Sequence, residues 1–166
     1  MTDVIKVKAV LSAPPTLTDI ASELQLIADQ FADMGHKATY IGPAHALAIV
    51  RPDDLHRGIT NLVENAVRFG SEATIRLDAA ADRMVIDIAD DGPGISDTDK
   101  RHVLEPFVRG DGARNMDDAA GFGLGLSIAR AIASAHGGEL SLHDRLPHGL
   151  IVRIELPGLQ QARPAA

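Results

Sequence analysis

Apolar residues recur along the chain with two different periods, and these periods predict its secondary structure. A period of three to four residues predicts an amphipathic helix, and strict alternation predicts a strand with one buried face. By this rule we expect helices near 19–34, 52–69, 96–104 and 124–136. We expect strands near 37–41, 46–50, 73–78, 84–90, 139–143 and 150–156. Because 166 residues suit one domain, these elements should share a single core.

Several predicted helices carry recognisable ends. Thr18 or Asp19 is a capping residue for the first helix, and Gly35 is the residue that stops it. Pro52 lies in the first turn of the second helix, where its missing N–H costs nothing. These signals agree with the apolar periods and support the predicted boundaries.

Both chain ends and one internal stretch lack a helical period. Residues 1–17 contain the alternating run Val4–Val10, so this segment is either an edge strand or an appended, non-native piece. Residues 111–120 are rich in Asp, Ala and Gly, which is typical of a mobile lid or binding loop. Residues 157–166 are expected to form a disordered tail.

Composition excludes several classes of function. The chain has no cysteine, which excludes a disulfide framework, a thiolate metal site and a thiol nucleophile. A net charge of −7, one tyrosine and no tryptophan argue against nucleic-acid binding. No apolar run reaches the roughly 18 to 20 residues of a membrane span, and no signal peptide begins the chain. We therefore expect a soluble, cytoplasmic segment without membrane contact.

Three glycines at alternate positions, Gly121, Gly123 and Gly125, lead into the start of the last predicted helix. Such spacing lets a backbone approach a ligand closely, and the helix start beyond it offers free N–H groups to phosphate. The spacing matches neither the dinucleotide fingerprint nor the P-loop. By itself the stretch is equally compatible with a flexible loop that leads into an ordinary buried helix.

Two amides and a guanidinium follow one flank of the second predicted helix. Asn61, Asn65 and Arg68 are spaced by four and three residues, so they stack along the border of the apolar face. Asparagine is a middling helix former, yet its amide oxygen is a good ligand for Mg²⁺. A solvated polar flank is the alternative interpretation of the same pattern.

A sharp acidic loop follows the strand predicted at 84–90. Asp90 ends that strand, and Gly92, Gly94 and Ile95 come directly after it. The loop is not a calcium loop, because that pattern requires a ligand where Ala89 stands. A plain turn remains the alternative.

In their order and setting, these motifs resemble the catalytic domains of sensor histidine kinases, over residues 18–156. Residues 106–114 are especially similar to osmosensing kinases of the EnvZ type. The segments that carry the resemblance to the N, G1, F and G2 boxes are 61–70, 90–95, 105–110 and 121–126.

The resemblance implies the Bergerat ATP-binding fold, an α/β sandwich of two layers. Its mixed, mostly antiparallel sheet has helices on one face and a mobile ATP lid. By the resemblance Asn65 ligates Mg²⁺ on the ATP phosphates, with Asn61 and Arg68 beside it. Asp90 accepts a hydrogen bond from the adenine amino group.

The remaining nucleotide-binding residues also follow from the resemblance. Phe122 departs from the family, which has a small residue or threonine there. The glycines of the Asp90 loop are Gly92 and Gly94. The residues implied for the apolar wall and the ribose are Phe69, Ile95, Phe107 and Leu126. Those implied for the phosphates are Arg109, Gly121, Gly123, Leu124, Gly125 and Leu126.

The resemblance also implies the reaction, which is transfer of the γ-phosphoryl group of ATP to a histidine. The catalytic set is then Asn61, Asn65, Arg68 and Arg109. Hydrolytic relatives have a glutamate where Asn61 stands, and a neutral amide is no general base, so ATP hydrolysis should be slow.

The implied partners are ATP or ADP, a separate phosphoacceptor domain of the same kinase and, indirectly, a response regulator. None of the seven histidines has the His-Glu-x-x-Thr/Ser-Pro context of an acceptor, so the acceptor is expected elsewhere. The isolated domain is expected to be a monomer. Two other classes stay open: a serine kinase of the anti-sigma-factor type, and a nucleotide-sensing module without transferase activity.

Overall fold

The computed structural model of the chain describes residues 14–104 and 120–159, with the backbone alone for 120–124. Its helices are α1 (Ile20–Asp33), α2 (Pro52–Phe69), α3 (Asp97–Leu104) and α4 (Ala120–Ala135). Its strands are β1 (Thr16–Asp19), β2 (Lys37–Ile41), β3 (Leu47–Val50), β4 (Glu72–Ala79), β5 (Arg83–Asp90), β6 (Glu139–Asp144) and β7 (Leu150–Pro157). Residues 1–13, 105–119 and 160–166 lie outside the described residues. They include most of the predicted N-terminal segment 1–17, lid 111–120 and tail 157–166.

The main sheet has five strands in the order β2-β4-β5-β7-β6. β2 and β4 are parallel, and every other neighbouring pair is antiparallel. In the centre Ile75 pairs with Ile88, and Ile88 pairs with Val152. The expected mixed, mostly antiparallel sheet is therefore confirmed.

The core lies between one face of this sheet and the helices α1, α2 and α4. Alternate residues of β5 point into it, and Met84, Ile86 and Ile88 are buried. Removing each such side chain from water stabilises the fold by about 1.5–3 kcal/mol. The opposite face is partly exposed, and there Arg153 donates two hydrogen bonds to Asp87, at 2.8 and 3.0 Å. The two-layer α/β sandwich with helices on one face is confirmed.

Asp19 caps α1 and also ties it to the segment before β3. Its carboxylate accepts from the backbone N–H of Ser22 at 3.4 Å and of Ala46 at 2.9 Å. His45 lies 2.7 Å from the same carboxylate. The Ala46 N–H, followed by His45, holds the pKa of Asp19 well below its usual range. The predicted cap is confirmed, and Gly35 follows the helix with a positive φ of 93°.

β1 was not predicted. Its four residues, Thr16–Asp19, are a small, mostly polar strand that pairs with β3 in a separate ribbon, where Leu17 lies opposite Ile49. The local sequence carries little strand signal, because the strand is stabilised by its pairing with a segment about thirty residues later. At the other end β7 runs one residue further than expected, since Pro157 pairs with Arg83.

The structure corrects the prediction for the glycine-rich stretch. The expected loop before Leu124 is helical in the structure, because α4 begins at Ala120 and includes Gly121, Gly123 and Gly125. Glycine disfavours a helix by about 1 kcal/mol per residue, and tertiary packing outweighs such a penalty. Along α4 that packing is against α2, where Leu126 and Ala129 are fully buried.

Candidate functional site

The helix α2 places its polar flank at the edge of the core. Its apolar face is buried through Leu55, Ile59, Leu62, Val63 and Ala66. On the adjacent flank Asn61 is half-buried, Asn65 is only 8% exposed, and Arg68 is exposed. The alternative of a solvated flank is therefore wrong for Asn65.

The side-chain amide of Asn65 has no partner for its nitrogen. Nδ2 is buried and makes no hydrogen bond to any residue that the structure describes. The helix α4 approaches this amide closely, since a Cβ on Gly125 would lie 3.0 Å from Nδ2 and 3.7 Å from the Cβ of Asn61. A buried polar group without a partner costs about 1–3 kcal/mol. A ligand that supplies a hydrogen-bond acceptor is one way to complete such a group.

Asp90 is a second buried polar group, at the end of β5. It is 4% exposed, and its Oδ1 accepts from the backbone N–H of Gly92 at 2.9 Å and of Leu150 at 3.3 Å. Within the described ranges Oδ2 has no hydrogen-bond partner. Burial raises the pKa of Asp90, although both N–H groups and the charge of Arg145 oppose the rise.

The turn after Asp90 is packed against the end of α2. A Cβ on Gly92 would lie 2.6 Å from the carbonyl oxygen of Phe69, so only glycine fits. Asp91 accepts from the backbone N–H of Ser71 at 2.6 Å and of Glu72 at 3.0 Å. These bonds, led by that of Glu72, lower the pKa of Asp91. The segment is thus a packed junction between α2 and β5.

Several predicted site residues surround this junction. Phe69 and Ile95 are partly buried against the core, and Leu126 is fully buried. Gly94 has a positive φ of 76°, as a tight turn requires. Gly121, Gly123 and Leu124 are helical in backbone, while Phe107, Arg109 and the side chain of Phe122 lie outside the described residues.

Cation ligands are few at this junction. The part of the chain that the structure describes holds no group of three or more His, Asp or Glu side chains that suits a metal ion. The amide oxygen of Asn65 is a neutral group that could serve as a ligand. Mg²⁺ accepts such a sparse set, because it keeps several waters and takes phosphate oxygens.

The sequence predicted the hairpin of β6 and β7 around Pro147-His148-Gly149, but not the contact of its turn with the Asp90 segment. This turn reaches the Asp90 segment, since Leu150 donates to Asp90 and the Nδ1 of His148 donates to the carbonyl of Gly92 at 3.2 Å. A Cβ on Gly149 would lie 2.0 Å from the Asp90 carbonyl oxygen. The only sequence signal was the turn itself, at Pro147-His148-Gly149, because nothing local shows which strand end it meets.

The two-layer α/β sandwich thus carries a buried Asn, Asn65, on one helix and a buried Asp, Asp90, at a neighbouring strand end. The family model for histidine kinase-, DNA gyrase B- and HSP90-like ATPases matches residues 50–160. The chain belongs to this family.

Curated relatives place the chain closer to one branch. It is 36% identical over 141 residues to the sensor histidine kinase GtrS of Pseudomonas aeruginosa, covering 85% of this chain and 28% of GtrS. It is 36% identical over 135 residues to the sensor protein IrlS of Burkholderia pseudomallei, covering 78% of this chain and 29% of IrlS. The chain thus spans under a third of the length of these relatives.

Solved structures of sensor kinase domains also resemble this chain. The histidine kinase domain of the Escherichia coli osmosensor EnvZ is 29% identical with a TM-score of 0.67, covering 93% of this chain and 96% of that domain. The ATP-binding domain of PrrB from Mycobacterium tuberculosis has a TM-score of 0.72 at 22% identity, covering 88% of this chain and 98% of that one. The predicted resemblance is confirmed, and the chain is a histidine-kinase-like ATPase domain.

No helix in residues 14–104 or 120–159 has the length and apolar character needed to cross a membrane.

Proposed function

We propose that this chain binds MgATP and supplies the γ-phosphoryl group to a histidine on a separate phosphoacceptor domain of the same sensor kinase. One observation carries the proposal: two buried polar side chains, Asn65 and Asp90, lie on adjoining elements, and each keeps an atom without a partner among the described residues. Similarity to sensor kinases supports the reaction class.

Asp90 would select adenine. Its ionised carboxylate is only an acceptor, and with Oδ1 occupied by two N–H groups the free Oδ2 would accept from the adenine amino group. Guanine would present its O6 acceptor instead, which leaves two acceptors face to face. An unpaired buried group costs about 1–3 kcal/mol, so ATP should be preferred over GTP.

Asn65 would hold Mg²⁺ through its amide oxygen, and its unpartnered Nδ2 would then donate to a phosphate oxygen. Bound Mg²⁺ would neutralise the phosphate charge that develops during transfer. Asn61 lies one turn earlier on the same flank, and the exposed Arg68 would add positive charge beyond it. Arg109 and the residues 121–126 would complete the phosphate site.

The acceptor histidine would come from the rest of the kinase. His45, His56, His136 and His148 already contact Asp19, Glu23, a backbone N–H and a backbone carbonyl respectively. None has an acceptor motif around it. A response regulator would receive the phosphoryl group afterwards. The relatives' greater length supports this division, because most of each relative lies outside the matched region.

Calorimetric titration tests nucleotide binding. The chain should bind MgATP and MgADP more tightly than MgGTP, and Asn65→Ala and Asp90→Asn should each weaken MgATP binding. Asp87→Asn is the matched control, since Asp87 lies on the same strand as Asp90 but pairs with Arg153 on the other face. Absence of binding by the wild-type chain would refute the proposal.

A radiolabelled transfer assay tests the reaction. The chain mixed with [γ-³²P]ATP should label no histidine of its own, and it should label a phosphoacceptor domain from the same kinase in an acid-labile, alkali-stable form. Acid-stable labelling of a partner would indicate a serine kinase instead. Binding without any transfer would favour a nucleotide-sensing module.

A further inference from the structure

The side chain of Asp91 joins the turn after β5 to the start of β4. The ladder between these two strands ends at the pair of Ala73 and Asp90. Where the next backbone pair would be Glu72 with Asp91, the Asp91 carboxylate accepts instead. Its Oδ1 takes the backbone N–H of Ser71 at 2.6 Å and of Glu72 at 3.0 Å. One carboxylate oxygen thus continues the connection at the point where the pairing of the strands ends.

The chain between α2 and β4 passes directly against this carboxylate. A Cβ on Gly70 would lie 2.7 Å from Oδ1 of Asp91 and 3.0 Å from the backbone nitrogen of Gly92. A Cβ on Gly92 would lie 2.6 Å from the carbonyl oxygen of Phe69. The turn after β5 and the end of α2 therefore meet backbone to backbone, and Asp91 supplies side-chain hydrogen bonds across this contact.

The end of α2 is rigidly connected to Asn65. This residue lies about one turn before the last residue of the helix. The Gly70 N–H donates to the Ala66 carbonyl at 2.9 Å, so the helical bonds continue to the point that Asp91 holds. A shift of the helix end relative to the turn would therefore carry Asn65 with it.

Asp90 is held independently of the Asp91 side chain. Its Oδ1 accepts from the N–H of Gly92, a bond within the turn itself, and from the N–H of Leu150, where β7 begins. Neither bond uses the Asp91 carboxylate. Loss of that carboxylate should therefore leave Asp90 in place and release the end of α2 from the turn.

We propose that Asp91 is a positioning residue that fixes the spacing between the adenine-reading carboxylate of Asp90 and the metal-holding amide of Asn65, an inference that rests on the proposed function. MgATP would engage both groups at once, so their spacing decides how well adenine and the phosphates are held together. Two linked binding groups reinforce each other only where the geometry lets both engage. Asp91 acts through the end of α2 and not by contact with the nucleotide.

A ligand that reaches only one half of the site isolates this effect. We would titrate the wild-type chain, Asp91→Ala and Asp91→Asn with MgATP by calorimetry, and with adenosine by NMR because a ligand without phosphates binds weakly. Asp91→Ala removes both hydrogen bonds and should weaken MgATP binding about fivefold to tenfold, with adenosine binding within about twofold of the wild type. Asp91→Asn keeps a neutral oxygen acceptor, which is weaker than a carboxylate, and should lose only about twofold to threefold for MgATP.

Asp19→Ala is the matched control, because Asp19 also accepts two backbone N–H groups, from Ser22 and Ala46. These residues lie on α1 and before β3, which carry no proposed site residue. The control should lower the stability of the fold, as Asp91→Ala does, and change neither affinity. A loss of MgATP affinity in Asp19→Ala as large as that in Asp91→Ala would assign the effect to stability alone and overturn the inference.

The Asp91 variants decide the remaining outcomes. Equal loss of MgATP and adenosine affinity in Asp91→Ala would overturn the inference, and so would an unchanged affinity for MgATP. If that variant does not fold, an Asp91→Asn variant that loses no MgATP affinity, or that loses adenosine affinity as well, would overturn it. Failure of the wild-type chain to bind either ligand would refute the proposed function itself, and this inference with it.

Discussion

Replacing Asp90 with asparagine should have opposite effects on stability and on nucleotide binding. The asparagine side chain would keep an oxygen for the N–H groups of Gly92 and Leu150, which lie 2.9 and 3.3 Å from Oδ1 of Asp90. The substitution therefore preserves the hydrogen bonds of the turn. It removes a carboxylate that is only 4% exposed, and it places an amide nitrogen where the free Oδ2 lies.

The stability effect follows from the raised pKa of Asp90, which is caused mainly by burial. A raised pKa means that the folded state disfavours the ionised form, so ionised Asp90 costs stability at neutral pH. Asp90→Asn should accordingly raise Tm at pH 7, by about 2–4 °C for each kcal/mol gained. The gain should shrink as pH falls, since below the unfolded-state pKa, near the ordinary value of 3.8, wild-type Asp90 is neutral in both states.

The binding effect has the opposite sign. The new amide donor would face the donor amino group of adenine, and an unpaired buried group costs about 1–3 kcal/mol, or roughly a 5-fold to 150-fold loss of MgATP affinity. Calorimetry at pH 7 and thermal melts from pH 7 down to about pH 3 measure both quantities. A variant that is less stable at pH 7, or that binds MgATP as tightly as the wild type, would refute the reasoning.

Three further predictions concern the turns, the cap of α1 and the chemistry. Gly149→Ala should lower Tm far more than Gly35→Ala. Both glycines have positive φ, so an alanine at either position costs about 1–2 kcal/mol. In addition, the new Cβ at position 149 would lie 2.0 Å from the Asp90 carbonyl oxygen, whereas nothing lies within 4 Å of a Cβ at position 35. Equal Tm values for the two variants would contradict this prediction. Asp19→Ala should cost about 0.5–2 kcal/mol in urea unfolding at pH 7. Because the pKa of Asp19 is lowered in the folded state, the difference in unfolding free energy between the wild type and Asp19→Ala should vanish as pH falls through that pKa. A difference that stays constant with pH would contradict the role of Asp19 as the cap. ATP hydrolysis by the chain alone should be slow and unchanged in Glu64→Gln, since Glu64 is exposed to solvent; fast turnover that this variant abolishes would identify Glu64 as a base.

Predictions from local pattern succeeded where a segment carries its own start, period and end. The bounds of α2 and β2 were predicted at the observed residues, because Pro52 starts the helix and the strand lies between glycines. The buried face of α2 followed from its 3.6-residue period, and this placed Asn61 and Asn65 on the border of the core. The roles of those residues in binding and catalysis remain predictions.

Local pattern failed where a distant segment supplies the stabilising contact. β1 is a strand because β3 pairs with it, and α4 is helical through its glycines because it packs on α2. Neither partner is visible in the local residues. Propensity is a weak prior of about 1 kcal/mol per residue or less, and tertiary packing overrides it.

The sequence by itself determined the types and order of most elements and the acidic and amide motifs of the site, because periodicity, caps and turn residues are local properties. Only the tertiary structure decided that Asn65 and Asp90 are both buried and incompletely paired, and that the β6–β7 turn brings Leu150 and Gly149 to Asp90. The physical reason is that burial and hydrogen-bond satisfaction depend on which strand ends meet. That meeting is set by the packing of the whole sheet against its helices.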